Sequence, residues 1–376
     1  MEEPVRVLHV VTHMNCGGLE NMIMNYYRNI DRSKVQFDFL THRPANEKKF
    51  FDDEILEMGG KIFHLPKLNP FSPYYLHSLD NFFKVHKEYK IIHVHQDCLS
   101  GIILKAAKKN NVPVRIAHCH NSNQDKGLKY FIKEYFKKDI VKYATKLYAC
   151  GLQSGEWMFK TKNFEVFPNA IDAKKYQYDV KIREEMRNEL DLGSSIVLGH
   201  VGRFSNVKNH KFIVDIFTKM VDMGKDAKLL LVGQGELFEE IKTIVESRQL
   251  SDRVIFTGLR SDINKIMQAM DVFLLPSLFE GFPVTMVEAQ AAGLPCVISD
   301  KVPLECKITN DVAQISLNES KEVWIETIEE LLTKERCDVH EEVVLKGYDV
   351  KENTKKIENY YIECVNLIKE RKINKR

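Results

Sequence analysis

Two glutamates, Glu280 and Glu288, bracket the segment Glu280-Gly281-Phe282-Pro283-Val284-Thr285-Met286-Val287-Glu288. The segment follows an apolar run, Val272–Leu275, read as a strand, and opens a helical pattern, Thr285–Ala292. One carboxylate therefore falls on a loop and the other about one turn into a helix. A loop at the carboxyl end of a parallel strand is where open α/β sheets bind ligands. The helix start offers free N–H groups and a positive dipole end, suited to a phosphate. A carboxylate one turn in can accept both hydrogen bonds of a ribose diol. The spacing alone also fits a solvated loop Glu and a helix-start Glu that favours the dipole; the strand–Gly–Pro–helix context points to a nucleotide.

A second group follows the apolar run Ile196–Val201: Gly202-Arg203-Phe204-Ser205-Asn206-Val207-Lys208-Asn209-His210. Arg offers a bidentate fork and Lys a compact point charge, both suited to phosphate oxygens; as plain loop residues they would be surface cations. Gly17-Gly18 follows the first apolar run, where glycine permits close approach of backbone to ligand or a positive φ; a tight turn is the alternative. His118-Cys119-His120-Asn121 closes the run Val114–Ala117. An imidazole there can hydrogen-bond a substrate or take its proton. His93 and His95 are weaker candidates, one of them readable as a satisfied sheet-end histidine. His-x-His can also bind metal, but no third ligand at metal spacing is visible in the sequence, so no metal is expected.

These residues need a frame. In the first half, Val5–Val11, Val35–Leu40, Ile91–Val94, Val114–Ala117 and Leu147–Ala149 are continuous β-branched-rich runs, as strands covered on both faces are. Helical patterns at Leu19–Asn29, Leu99–Asn110 and Leu128–Tyr143 lie between them. The second half repeats the theme, with strands at Ile196–Val201, Leu229–Val232, Val254–Phe256, Val272–Leu275 and Cys296–Ser299 and helices at Asn209–Met223, Leu237–Ser247, Ile263–Ala269 and Thr285–Ala292. Strand, helix, strand in repetition implies two doubly wound parallel sheets. The joint is placed at Phe167-Pro168-Asn169-Ala170-Ile171-Asp172 and the charged stretch after it, to about Ser195, and residues from Val350 on read as one polar helix.

The Glu280–Glu288 segment resembles the E-x7-E signature of glycosyltransferase family 4, and the resemblance runs through nearly the whole chain, most closely to bacterial capsule and exopolysaccharide members. It implies the GT-B fold: an α/β chain of two Rossmann-like domains facing across a cleft. Residues 1–170 would form the acceptor domain, 171–349 the donor domain, and the helix of about 350–376 would pack back on the first. The resemblance puts Arg203 and Lys208 on the donor diphosphate and His120, rather than His118, in the cleft. It makes Glu280 a residue that orients sugar hydroxyls, Glu288 the ribose ligand, and Gly17 and Gly18 the loop facing donor phosphates or acceptor. Gly233, in Gly233-Gln234-Gly235-Glu236, and Leu259, in Gly258-Leu259-Arg260, would lie beside the nucleotide, with Gly281, Phe282, Pro283, Val284 and Thr285 completing the donor pocket. The implied chemistry is retaining, metal-independent transfer of a hexose from a nucleotide-diphosphate sugar, with UDP the expected nucleotide, to a glycan or lipid-linked acceptor in cell-surface polysaccharide synthesis.

The bulk numbers agree with an ordinary two-domain enzyme. The chain has 376 residues, 44% hydrophobic and 29% charged, with a net charge of +2, which argues against an extended nucleic-acid surface. The eight cysteines contain no C-x-x-C pair, and their scatter fits free thiols in a reducing compartment. The start, Met1-Glu2-Glu3-Pro4, lacks the basic and long apolar regions of a signal peptide, so a cytoplasmic home is expected. Peripheral membrane contact is one reading of Lys126, Lys129, Lys133, Lys137, Lys138, Lys142 and Lys146, which punctuate an apolar helical segment; a core-packed helix with a solvated lysine face is the other. Three rivals remain: a nucleotide-sugar 2-epimerase on the same fold, a non-catalytic glycosyltransferase-like partner subunit, and a dinucleotide oxidoreductase, the last disfavoured because no G-x-G-x-x-G follows the first strand.

Overall fold

The computed structural model describes residues 3–15, 17–44, 46–121 and 128–373, without the side chains of 128, 129, 372 and 373. The chain divides into two compact units, residues 1–170 with 350–376 and residues 171–349.

The first unit carries strands β1 (Val5–Val11), β2 (Val35–Thr41), β3 (Ile62–His64), β4 (Ile91–Val94), β5 (Val114–Cys119), β6 (Lys146–Ala149) and β7 (Glu165–Val166). They pair in the order β3-β2-β1-β4-β5-β6-β7, all parallel. Helices α1 (Gly18–Asn29), α2 (Asp52–Glu57), α3 (Pro73–Val85), α4 (Ser100–Lys109), α5 (Leu128–Tyr143) and α6 (Leu152–Phe159) are threaded between them. Every residue of β2 is buried, as expected of a strand covered on both faces.

The second unit opens with α7 (Ala173–Tyr176) and α8 (Val180–Glu189), so the charged stretch read as a joint is a helix of this unit. Its sheet comprises β8 (Ile196–Val201), β9 (Ala227–Val232), β10 (Val254–Gly258), β11 (Val272–Leu275), β12 (Cys296–Ser299) and β13 (Val312–Ile315), ordered β10-β9-β8-β11-β12-β13. Helices α9 (His210–Asp222), α10 (Phe238–Ser247), α11 (Ile263–Ala269), α12 (Val284–Ala291), α13 (Lys321–Leu332) and α14 (His340–Leu345) cover it. The last helix, α15 (Val350–Ile373), returns to the first unit. Its Ile357 and Tyr361 are buried in the core that α1 and β2 form.

Each sheet reverses its winding once, between β1 and β4 and between β8 and β11. At such a switch point the loops after the two central strands diverge and leave a crevice at the carboxyl ends. In the second unit the loops that flank it are those carrying Arg203 and Glu280.

The basic helix differs from both of its sequence-based readings in one respect. Lys137 is only 3% exposed, with its ammonium 3.8 Å from the centre of the Trp157 ring. Phe131 and Tyr135 face outward, 76% and 70% exposed. Helix α5 thus hides a lysine and shows aromatic rings, flanked by exposed Lys138 and Lys142. Lys126 lies outside the described residues.

Candidate active site

In the second unit the pairing of β8 with β11 sets the geometry. The loop after β8 bonds the loop after β11 through Leu278 N–H to the Val207 carbonyl, 2.8 Å, and through the Asn209 amide to the Pro276 carbonyl, 3.1 Å. This brings Lys208 Nζ within 2.6 Å of Glu280 Oε1. The Ser277 hydroxyl donates to the same oxygen at 2.6 Å. The two charged side chains are 19% and 10% exposed, a partly desolvated pair. Sequence placed Lys208 and Glu280 separately; the fold makes them one unit.

Arg203 is placed differently. Its guanidinium is 74% exposed and pairs with Glu236 at 3.0 Å. Solvent screens an exposed pair of this kind, so the fork is free to turn to a stronger anion at little cost.

The loop after β9 is built on glycine for a packing reason. Gly233 has φ +136°, and a Cβ there would lie 2.1 Å from the Gly202 carbonyl oxygen. Its N–H donates to the Gly258 carbonyl, 2.9 Å. The loops after β8, β9 and β10 are therefore stacked backbone on backbone at one end of the sheet. Leu259, next to Gly258, is 71% exposed.

Helix α12 starts at Val284, one residue before the sequence-based boundary, with Pro283 at the cap position and no capping side chain. Its first-turn amides are thus open, save that Met286 N–H bonds the Pro283 carbonyl at 3.0 Å. The Thr285 hydroxyl is buried without a partner. Phe282 stacks on Tyr348, ring centres 5.7 Å apart, which holds the turn at Gly281. Glu288, one turn in, accepts from the Tyr176 hydroxyl at 2.7 Å. Burial raises the Glu288 carboxyl above the usual carboxylate range, and the Tyr176 bond opposes that rise by favouring the charged form. Tyr176 and Ser277 escaped the sequence reading, and Glu236 entered it only as the end of the loop Gly233-Gln234-Gly235-Glu236. Ser277, in the loop just past β11, stood in a position that could have been noticed; nothing local marks Tyr176.

In the first unit, Gly17 is the cap of α1 with φ −143°. Neither Gly17 nor Gly18 is among the positive-φ glycines, so left-handed backbone is not the reason for glycine here. A Cβ on Gly17 would meet the Glu20 carboxylate at 2.4 Å, the end of a flexible side chain; Gly18 has open space around its Cα. Cys16 lies outside the described residues.

Strand β5 continues through Cys119, so His118 is a strand residue and His120 the first beyond it. The strand-end histidines do not stand alone. His95 Nδ1 and His120 Nε2 are 2.9 Å apart, His9 Nδ1 and His95 Nε2 3.1 Å, and His93 Nε2 and His118 Nδ1 3.2 Å. His93 Nδ1 meets the Tyr361 hydroxyl at 2.7 Å, and His118 Nε2 meets the Phe167 carbonyl at 3.3 Å. Beside His9, His93, His95 and His118 there is a cavity of only about 10 Å³, room for one water at most. Burial pushes the His9 and His120 imidazoles down to about 3; His93, His95 and His118 are lowered well below the usual range for the same reason. The sequence showed no third ligand for a metal; the fold brings three histidine nitrogens within 4.8 Å of one another in two overlapping ways, His9–His93–His95 and His95–His118–His120.

Two family profiles divide the chain between them: "Glycosyltransferase Family 4" matches residues 16–175 and "Glycosyl transferases group 1" residues 182–349. EpsF of Bacillus subtilis (strain 168) is 36% identical over 95% of this chain and 96% of its own. An Escherichia coli enzyme, UDP-Gal:alpha-D-GlcNAc-diphosphoundecaprenol alpha-1,3-galactosyltransferase, is 24% identical over 96% of this chain and 97% of its own. Among solved structures, Anabaena Alr3699/HepE in complex with UDP superposes with a TM-score of 0.72 at 16% identity, covering 98% of this chain and 99% of that one. A glycosyltransferase from Rickettsia africae gives 0.76 at 15% identity over 97% and 99%. The architecture is GT-B, and the chain belongs to glycosyltransferase family 4.

Proposed function

We propose that the protein transfers a hexose from UDP-sugar to a lipid-linked or glycan acceptor in cell-surface polysaccharide synthesis, with retention at the anomeric carbon. The observation that carries this reading is the meeting of Lys208, Glu280, Ser277 and the open start of α12 at the switch point of the second sheet, with Arg203 on the neighbouring loop. The donor diphosphate would take Arg203, Lys208 and the first-turn amides. Glu288, held by Tyr176, would accept the ribose hydroxyls. Glu280 would orient sugar hydroxyls. The bond from the anomeric carbon to the phosphate oxygen breaks, the acceptor oxygen bonds the same face, and the acceptor proton passes to the departing phosphate. Fixed cations and N–H donors meet the charge that develops on the leaving group. The UDP-bound neighbour and the relative that is named for UDP-Gal support UDP, as that relative's diphosphoundecaprenol substrate supports a lipid-linked acceptor. His120 would serve the acceptor side, and Gly17 and Gly18 would face the donor phosphates or the acceptor.

Helix α5 supports contact with an anionic membrane surface: Phe131 and Tyr135 are exposed at helical spacing beside Lys138 and Lys142, a combination suited to the lipid interface. No helix among the described residues is long and apolar enough to cross a membrane.

The test is calorimetric titration of chelator-treated protein with UDP, GDP and ADP. Tight UDP binding, weakened by Arg203→Ala or Glu288→Ala, is the expected result. Absence of binding to all three would overturn the reading in favour of a non-catalytic subunit, and conversion of UDP-sugar alone to its 2-epimer would make the protein an epimerase.

A further inference from the structure

The flank of the first sheet carries a groove that the transfer reaction does not use. β3 is an edge strand, two places out from the switch point between β1 and β4. Between its carboxyl end, His64 with Leu65 and Pro66, and helix α3 lies a groove of about 350 Å³, within the roughly 300–1,000 Å³ of small-molecule sites. Its helical wall includes Tyr74, Ser78, Asn81 and Val85, a stripe at i, i+4, i+7 and i+11. Tyr74 and Val85 are 71% and 65% exposed, so α3 keeps this stripe outside the core. Among the described residues, no Asp, Glu, Lys or Arg lines the groove.

The hydrogen bonds around the groove decide what it offers. The Thr41 hydroxyl gives its one proton to the Phe63 carbonyl at 3.2 Å. At 2.9 Å it therefore accepts from His64 Nδ1–H, and the neutral ring keeps a bare Nε2. His86 Nδ1 faces the Glu88 carboxylate at 2.8 Å. A carboxylate only accepts, so a neutral His86 likewise has its lone pair on Nε2. The Ser78 hydroxyl donates to the Tyr74 carbonyl at 2.8 Å, which leaves its oxygen lone pairs. His64, His86 and Ser78 thus offer acceptors, and the Asn81 amide both donates and accepts. Apolar surface comes from the Tyr74 ring and from Phe82, whose ring centre lies 4.4 Å from that of His86.

A matching ligand must bring several O–H donors, no charge and an apolar face. A phosphate or a nucleotide brings charge and acceptors, and an acyl chain leaves the lone pairs without partners. A pyranose has hydroxyls around its rim and a C–H face that can lie on an aromatic ring. We propose that the groove between β3 and α3 binds a neutral saccharide, a segment of glycan held away from the transfer point, with Tyr74 beneath a sugar ring and His64, Ser78, Asn81 and His86 taking its hydroxyls. The choice of a saccharide among polyols rests on the transfer reading given above. A glycan held on the flank is tethered to the enzyme, which raises the effective concentration of its free end between additions.

The experiment is saturation-transfer NMR of the full-length protein with maltotriose, chitotriose and β-1,4-galactotriose. Expected is saturation of the ring protons of at least one trisaccharide. Tyr74→Ala and Asn81→Ala, both at exposed positions where folding is not at stake, should each weaken that binding about 10-fold. Tyr74→Phe keeps the ring and should keep the binding. UDP titration should give wild-type affinity in all three variants, since the groove belongs to the first unit and the donor residues to the second. Failure of all three trisaccharides to bind would overturn the proposal, as would a signal undiminished in Tyr74→Ala and Asn81→Ala, which seats the sugar elsewhere. Octyl glucoside that is saturated through its alkyl chain alone would overturn it in favour of an apolar ligand. UDP binding without trisaccharide binding removes this site and leaves the transfer reading; trisaccharide binding through Tyr74 without UDP binding keeps the site and removes that reading.

Discussion

Mild acid should unfold the first unit before the second. The folded first unit holds five clustered histidines neutral, with His9 and His120 at about 3 and the other three well below their usual range, because burial denies the imidazolium its hydration. An unfolded histidine titrates near 6.5. Below that pH the unfolded chain binds protons that the folded chain refuses, so stability is fully present above about 6.5 and falls as the pH drops toward the folded value. At pH 5.5 His9 and His120, at about 3, cost roughly 1–2 kcal/mol each, and His93, His95 and His118 add to the same side, against a typical domain stability of about 5–15 kcal/mol. His42, lowered to about 4, adds to the same side. The second unit has two such rings, His200, lowered well below the usual range, and His210, at about 4, and so loses less at that pH. The chain's two tryptophans separate the units: Trp157 lies in α6 and Trp324 in α13. Fluorescence in chelator-containing buffer, with Trp157→Phe isolating Trp324, should show a Trp157 midpoint between about pH 5 and 6 and a lower one for Trp324. His9→Phe should lower the first midpoint and remove about one proton from the transition. Coincident midpoints below pH 4, or no effect of His9→Phe, would refute the reasoning that buried neutral imidazoles limit this unit.

Lys208→Met should cost about 2–3 kcal/mol of second-unit stability, between the values for buried and exposed pairs, because it strands a carboxylate that is 10% exposed. It should also weaken UDP about 10- to 100-fold. Adding Glu280→Gln should restore the stability but not the affinity; recovery of both would deny Lys208 a role in binding the diphosphate. UDP affinity should fall as the pH drops through the raised titration of Glu288, and this dependence should vanish in Glu288→Gln; an unchanged profile would remove Glu288 from the ribose site. Deleting residues after Val350 should melt the first unit, since Ile357 and Tyr361 belong to its core; an unaltered Trp157 transition would contradict that packing.

Much of the frame was legible in the sequence because it is local. A strand buried on both faces must be a continuous apolar run, so Ile196–Val201 and Val272–Leu275 were found with their observed ends. The short outer strands Ile62–His64, Glu165–Val166 and Val312–Ile315 were not, because few residues with polar members leave no periodic signal. In a doubly wound fold the ligand end is the carboxyl end of the strands, so residues just past an apolar run could be named as site candidates without knowing strand order.

Strand order itself belongs to the tertiary structure. Lys208 and Glu280, 72 residues apart, meet only because β8 lies beside β11. Tyr176 reaches Glu288 across 112 residues from a short helix without any motif. The lysines of α5 gave no clue to which face was covered; packing buried Lys137 beneath Trp157 and left Phe131 outside. His-x-His was visible twice as a pattern, but neither pair states its neighbours. The sequence determined which residues stand at the ends of strands, since that depends on local apolar pattern. The tertiary structure alone decided which of those ends are adjacent, because adjacency is set by how sheets close over their helices across long stretches of chain.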